Sequence, residues 1–113
     1  MEKRIDVGLL LSFYGPMLTG RQLAILRLYY EDDLSLSEIA SLHGMTRQGA
    51  YDLIRRGERQ LLTLESKLAL RERWFRVIEG LGNVKEALAA EDAAKALAII
   101  GDLLRAEEDQ DGV

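Results

Sequence analysis

Apolar positions along this chain recur at intervals of three and four residues, the spacing of amphipathic helices. No stretch alternates apolar and polar residues as a half-buried strand does. The pattern predicts a first helix from about Ile5 to Tyr14, ended by Gly15 and Pro16 because proline disfavours helix at the preceding residue. A second helix is predicted to extend to about Tyr30. We therefore expect an all-α protein.

Three of the predicted helices begin with residues that cap helix N-termini. Thr19 and Ser35 are each followed three residues later by Gln or Glu, which is the spacing of a capping box. Ser35 opens a short helix that is predicted to end at Leu42. Gly44 then supplies a residue suited to a left-handed turn, and Thr46 caps the helix that follows.

Residues 36–54 predict a helix-turn-helix, the motif that places its second helix in the major groove of DNA. Ala40 is small where the two helices must cross closely, and Gly44 makes the turn between them. The apolar residues expected to close the core beneath the turn are Ile39, Met45, Ala50 and Leu53.

The helix that begins after Thr46 is predicted to run unbroken to about Glu79. Its positions at alternating steps of three and four form a heptad pattern, interrupted at Gly57 and Arg71. These positions are Ile54, Gly57, Leu61, Leu64, Leu68, Arg71, Phe75 and Ile78.

The chain divides into two predicted parts. Residues 1–68 form a helix-turn-helix domain, and residues 69–113 form a C-terminal helical extension. Within the extension, the glycines of residues 80–82 are predicted to end the long helix. Two weaker helices are expected over about 84–90 and 93–105, and the acidic residues after them are expected to fray.

The formal net charge of −4 is distributed unevenly along the chain. Residues 45–76 carry eight basic and four acidic side chains, whereas residues 77–113 carry three basic and nine acidic ones. Affinity for phosphate depends on the local potential, so the basic central segment favours nucleic-acid binding despite the overall acidity. The alternative is an ordinary solvated helix face.

Helical rotation of about 100° per residue assigns faces to the second helix of the motif. The side that we expect to be buried carries Ala50, Leu53, Ile54 and Gly57. The predicted DNA-contacting residues lie on and around the opposite side, and they are Thr46, Arg47, Gln48, Tyr51, Asp52, Arg55, Arg56 and Arg59.

The chemistry of these side chains suggests their roles. Gln48 can pair with adenine and Arg55 with guanine, whereas Asp52 could accept a hydrogen bond from cytosine or orient Arg55. The arginines further along the helix are expected to meet phosphates. Alternatively, the arginines are solvated charges paired with Asp52 and Glu58.

Several stretches within residues 4–68 occur in the same order in one known family. They are Ser12–Gly15, Leu18–Gln22, Leu28–Tyr30, Leu34–Ala40 and Thr46–Asp52. Together they resemble the YlxM family of small bacterial proteins, whose helix-turn-helix is similar to region 4 of sigma-70-type factors. The resemblance implies an all-α protein that binds DNA. It also implies a regulatory or accessory role in the signal recognition particle pathway, because the family's genes commonly lie beside those of the particle.

A homodimer is predicted from the apolar heptad positions, held through residues 61–79 and the last helix. Two half-sites multiply the affinity of a dimeric helix-turn-helix protein for DNA. The expected interface residues are Leu61, Leu64, Leu68, Trp74, Phe75 and Ile78. The alternative is that the chain's own last helix covers this surface through Leu97, Ile100 and Leu104.

The sequence contains no candidate for catalysis, a cofactor site or a metal site. It has one His, no Cys and no glycine-rich phosphate loop. The carboxylates of Glu31, Asp32, Asp33 and Glu38 lack the spacing of a known calcium loop, so we interpret them as solvated. We therefore predict a non-enzymatic DNA-binding protein. The alternative is a protein- or RNA-interaction module of the signal recognition particle pathway that uses the helix-turn-helix as a scaffold.

The sequence also favours a cytoplasmic protein. No apolar run approaches the roughly 20 residues that a membrane span needs. The charged segment Met1–Arg4 is followed by no small-residue cleavage site, unlike a signal peptide. The absence of Cys fits a reducing compartment.

Overall fold

The computed structural model describes the backbone of residues 2–112 and the side chains of residues 7–109. Within that part of the chain there are six α-helices and no strand, and a short 3₁₀ helix spans Gly15–Met17. The α-helices are α1 (Glu2–Tyr14), α2 (Gly20–Tyr30), α3 (Leu36–His43), α4 (Arg47–Leu68), α5 (Leu70–Ala89) and α6 (Ala93–Gly112). The predicted all-α class is confirmed. The chain forms two compact units, Met1–Arg71 and Glu72–Val113.

Reciprocal hydrogen bonds start two helices of the first unit. Thr19 Oγ1 accepts from the Gln22 N–H at 3.2 Å, and Gln22 Oε1 accepts from the Thr19 N–H at 3.3 Å. Ser35 and Glu38 form the same pair at the start of α3, with distances of 3.1 and 2.9 Å. Both predicted capping boxes are confirmed, and they satisfy N–H groups that have no partner within the helix.

The core of the first unit lies among α1, α2, α3 and α4. Its buried apolar residues are Val7, Leu10, Leu11, Tyr14, Leu18, Ile25, Leu26, Ile39, Ala40, Ala50, Ile54 and Leu61. At Gly57, a Cβ atom would lie only 2.6 Å from Leu26 Cδ1. Gly57, which interrupts the heptad pattern, is therefore the residue that lets α4 approach α2 closely.

The fourth helix is shorter than the sequence predicts. It ends at Leu68, so the prediction of an unbroken helix to about Glu79 is wrong. Ala69 adopts a left-handed conformation, with φ 52° and ψ 34°, which interrupts the helix. This conformation costs an L-residue roughly 1–2 kcal/mol. Alanine is the strongest helix former, so its presence contains no local signal for a break.

Hydrogen bonds from a distant helix stabilise this break. The Tyr14 hydroxyl donates to Glu65 Oε1 at 2.6 Å and accepts from the Leu70 N–H at 3.0 Å. Glu65 Oε1 also accepts from the Arg71 N–H at 3.0 Å, so the first N–H groups of α5 have partners. Burial raises the pKa of Tyr14 above its usual 10.0, and the hydrogen bond to Glu65 raises it further. The hydroxyl is therefore a proton donor at neutral pH.

The second unit is a pair of helices in which α5 passes through both glycines of residues 80–82. The predicted end of the helix at these glycines is wrong, as is the separate helix over 84–90, because α5 continues to Ala89. At Gly80 a Cβ atom would lie 2.7 Å from Leu103 Cδ1, so this glycine allows close approach of α6. The small core between the two helices contains Val84, Ala87 and Ala96, with Ile99 packed against them.

The last helix begins at Ala93, as predicted, but extends to Gly112. The prediction of a frayed acidic tail is therefore wrong from Glu107 onward, while Val113 lies outside the described residues. Arg73 of α5 donates from Nε to Glu107 Oε2 at 3.1 Å, which ties the end of α6 to the start of α5. The hydrogen bond from Arg73 lowers the pKa of Glu107, so the pair is ionic at neutral pH.

Candidate nucleic-acid interface

The helix-turn-helix consists of α3, α4 and the turn between them. Gly44 ends α3 with φ 61° and ψ 41°, a left-handed conformation that glycine adopts without strain, and its N–H donates to the Ala40 carbonyl. Thr46 Oγ1 accepts from the Gly49 N–H at 2.9 Å and so caps α4. The predicted turn and cap are both confirmed. α3 ends at His43, one residue later than predicted.

The predicted inward side of the motif is buried. Ala50 and Ile39 are fully buried, Ile54 is 3% exposed, and Met45 and Leu53 pack against the same core. This packing fixes the rotation of α4 about its own axis, because the apolar side chains occupy one side of the helix. The opposite side of its first three turns is thereby presented to solvent.

All of the predicted DNA-contacting residues are exposed. They are Thr46, Arg47, Gln48, Tyr51, Asp52, Arg55, Arg56 and Arg59. The structure brings five of them together around an open groove of about 460 Å³, which is lined by Tyr51, Asp52, Arg55, Arg56 and Arg59. The other three lie at the cap and in the first turn of α4, ahead of this groove. With three arginines and one aspartate, the groove is positively charged.

Contacts along the exposed side of α4 hold two polar side chains in place. Gln48 Nε2 donates to Asp52 Oδ1 at 3.0 Å, one turn further along α4. The Arg55 guanidinium carbon lies 6.0 Å from the centre of the Tyr51 ring, at the limit of a cation–π contact. Asp52 therefore orients Gln48, while Tyr51 is the neighbour that Arg55 covers.

Glu58 is a buried member of α4 that the sequence pattern did not identify. It is 7% exposed, so its carboxylate lies against the rest of the unit and not on the solvated side of α4. A signal was present, since Ile54, Glu58 and Leu61 are four and three residues apart and so share the inward side. A pattern that counts only apolar residues omits a carboxylate at that spacing.

The residues predicted to form a dimer interface separate into two groups. Leu61 is fully buried and Leu64 packs against the core of the first unit, so the prediction of Leu61 as an interface residue is wrong. The physical reason is that α4 uses this side against the rest of its own unit. The other predicted residues are exposed, and they are Leu68, Trp74, Phe75 and Ile78. The alternative places Leu97, Ile100 and Leu104 of the last helix over this surface, and these residues are exposed as well.

Among the described residues, no group of three or more His, Cys, Asp or Glu side chains could hold a metal ion. Of the four carboxylates considered as ligands, Glu38 belongs to the capping box of α3. Hydrogen bonds from the Ser35 backbone lower the pKa of Glu38. None of the helices within residues 2–112 is long and apolar enough to span a membrane.

Comparisons with a family model and with individual relatives both identify the same family. The UPF0122 family model, described as "helix-turn-helix protein, YlxM / p13 like", matches residues 1–99. The UPF0122 protein of Clostridium acetobutylicum is 47% identical over 88 residues, covering 78% of this chain and 76% of the relative. That of Symbiobacterium thermophilum is 41% identical over 101 residues, covering 89% and 94%. The chain belongs to the UPF0122 family of YlxM/p13-like helix-turn-helix proteins.

Proposed function

We propose that this protein binds DNA through the exposed side of α4 and does so without catalysing a reaction. The observation that carries the proposal is the groove in which Arg55, Arg56 and Arg59 stand together on the second helix of a complete helix-turn-helix. A basic groove on that helix matches the phosphate-rich walls of the major groove. Membership of a helix-turn-helix family supports the same role.

The order of side chains along α4 suggests how DNA is read. Helix-turn-helix proteins direct the first turns of the second helix toward base edges. Gln48 can offer adenine one N–H and its carbonyl oxygen while its other N–H stays on Asp52. Arg55 is suited to the O6 and N7 atoms of guanine. Arg56 and Arg59 follow along the helix, where phosphates of the groove wall are within reach.

The more specific role that we propose is that of a regulator acting as a dimer on two half-sites. The net charge of −4 opposes non-specific binding to DNA, and two linked half-sites would compensate by avidity. The resemblance to the YlxM family supports a role in the signal recognition particle pathway, so genes of that pathway are the first candidates for regulation.

The test is fluorescence anisotropy against DNA from the gene's own upstream region and a scrambled duplex, over a salt series. We expect Arg55→Ala to weaken specific binding by about 1–3 kcal/mol. Arg59→Ala should weaken both duplexes and reduce the salt slope by about 1. Arg105→Ala removes the same charge from α6 and is the matched control, which should leave both measurements unchanged.

Two outcomes would overturn the proposal. One is the absence of binding to either duplex at low salt. The other is an effect of Arg55→Ala or Arg59→Ala no larger than that of Arg105→Ala. In either case the helix-turn-helix would serve as a scaffold, and the next partners to assay would be the RNA and protein components of the signal recognition particle.

A further inference from the structure

The second unit carries more apolar surface than its own core uses. The core residues Val84, Ala87 and Ala96 have small side chains, so the two helices bury little apolar area against each other. Isolated helices depend on tertiary packing for their stability, and a small two-helix unit needs additional apolar contact. Exposed apolar residues of the same helices are the available source of that contact.

Seven exposed apolar side chains form two rows, one on each helix. The row on α5 follows heptad spacing and consists of Trp74, Ile78, Leu81 and Leu88. The row on α6 consists of Leu97, Ile100 and Leu104. The exposed fractions range from 37% for Ile100 to 69% for Leu97, so each member is available for contact.

Both rows lie on the same side of the helix pair. The proximity of Gly80 to Leu103 and of Arg73 to Glu107 shows that the helices are antiparallel. At about 100° per residue, each row lies roughly 110° around its helix from the side that faces the other helix. Seen from one end of the pair, the two antiparallel helices wind in opposite senses. Equal rotations about the two helix axes therefore place both rows on the same face of the helix pair. We call these seven residues the apolar face.

The opposite side of the helix pair is polar. Asn83 and Glu86 of α5 share an open groove there with Lys95 of α6. These residues lie at the opposite rotational offset from the apolar rows, as the helical geometry requires. Apart from the exposed Phe75 near the start of α5, the helix pair is thus amphipathic, with one apolar and one polar face.

The apolar face has the size of a protein interface. From the exposed fractions, its seven side chains leave about 700 Å² accessible per copy, close to the roughly 800 Å² that each partner contributes to a stable interface. Apolar patches on monomeric proteins are usually smaller than this. Two helix pairs joined through such faces make a four-helix bundle, in which each pair completes the core of the other.

The arrangement of the apolar rows favours a second copy of the chain as the partner. The row on α5 is centred on Leu81, because Trp74 and Leu88 each lie seven residues from it. A two-fold axis perpendicular to the helices at Leu81 therefore brings Trp74 of one copy level with Leu88 of the other, so the row on α5 pairs with itself along its length. We propose that the apolar face pairs with the same face of a second copy. This proposal names the interface of the dimer proposed above, and it does not rest on DNA binding.

The absence of Cys from the natural chain allows a direct test of the two-fold axis. In Leu81→Cys, the introduced thiols of two copies would lie near the axis and should form an inter-chain disulfide under mild oxidation. Glu86→Cys places a thiol on the polar face and is the matched control, which should remain a single chain on a non-reducing gel. Equal cross-linking of both variants, or cross-linking of neither, would overturn the proposal.

Sedimentation equilibrium on the full chain tests whether this face holds the dimer. Leu81→Glu should raise the dimer dissociation constant at least roughly tenfold, because it would bury two unpaired charges at the axis. Glu86→Gln changes the polar face and should leave the constant unchanged. Both positions are exposed, and circular dichroism verifies folding. A chain that is monomeric throughout, or equal effects of the two variants, would count against the proposal.

Discussion

The close approach of α2 and α4 at Gly57 can be tested by the change in the free energy of unfolding when Gly57 is replaced. Replacing Gly57 by alanine has two opposing effects on the free energy of unfolding. Alanine in a helix interior is favoured over glycine by about 1 kcal/mol. Against this, the new Cβ atom would lie 2.6 Å from Leu26 Cδ1 and 3.2 Å from Leu26 Cγ, distances at which an atom must move.

The burial of Leu26 decides which effect is larger. Its side chain is fully buried, so it cannot swing into solvent and must press on the surrounding core. Overpacking of a core costs typically 1–3 kcal/mol, and a contact this short belongs in the upper part of that range. We therefore expect Gly57→Ala to lower the free energy of unfolding by about 1 kcal/mol.

The assay is urea denaturation followed by circular dichroism, with Gly8→Ala as the matched variant. Gly8 lies within α1 of the same unit, and an added Cβ there would meet nothing within 4 Å. Only the helix-propensity gain remains, so Gly8→Ala should raise the free energy of unfolding by about 1 kcal/mol. If Gly57→Ala stabilises the protein as much as Gly8→Ala does, the close packing of α4 on α2 is refuted.

Two further predictions concern polar contacts. Tyr14→Phe should lower the free energy of unfolding by about 2 kcal/mol in the same assay, because the Leu70 N–H loses its acceptor and Glu65 loses a donor; an unchanged value would contradict this role. Arg73 holds the pKa of Glu107 below its usual 4.5, so the stabilisation that Glu107 provides is complete above pH 4.5 and is lost as the pH falls through the lowered pKa. In thermal unfolding, Glu107→Gln should therefore be less stable than the natural chain at neutral pH and match it at about pH 2, whereas a difference that persists in acid would contradict the ion pair.

The parts of the fold that the sequence predicts are those decided by local interactions. The capping boxes that begin with Thr19 and Ser35 depend on side chains three residues from the cap. The turn depends on one residue, Gly44, that adopts positive φ without strain. These interactions lie within one helical turn, so a short stretch of sequence is enough to predict where α2 and α3 begin and how α3 is joined to α4.

The errors arise where distant residues decide the local structure. Ala69 leaves the helix because Tyr14, far away in sequence, binds Glu65 and the start of α5. Gly80 remains in a helix, despite its low propensity, because Leu103 packs against it. In both cases tertiary contacts outweigh an intrinsic preference of about 1–2 kcal/mol. No pattern within a short stretch of sequence reports these tertiary contacts.

The heptad pattern illustrates how a correct observation can carry a wrong inference. Steps of three and four define a common side only while the residues belong to one helix. Ala69 ends that helix, so the regular spacing from Leu61 to Ile78 no longer indicates a shared side. Before the break, Leu61 is buried in the core of its own unit, whereas after it Ile78 is exposed on the apolar face. The break at Ala69 thus separates residues that stabilise the helix-turn-helix from residues that remain available for pairing.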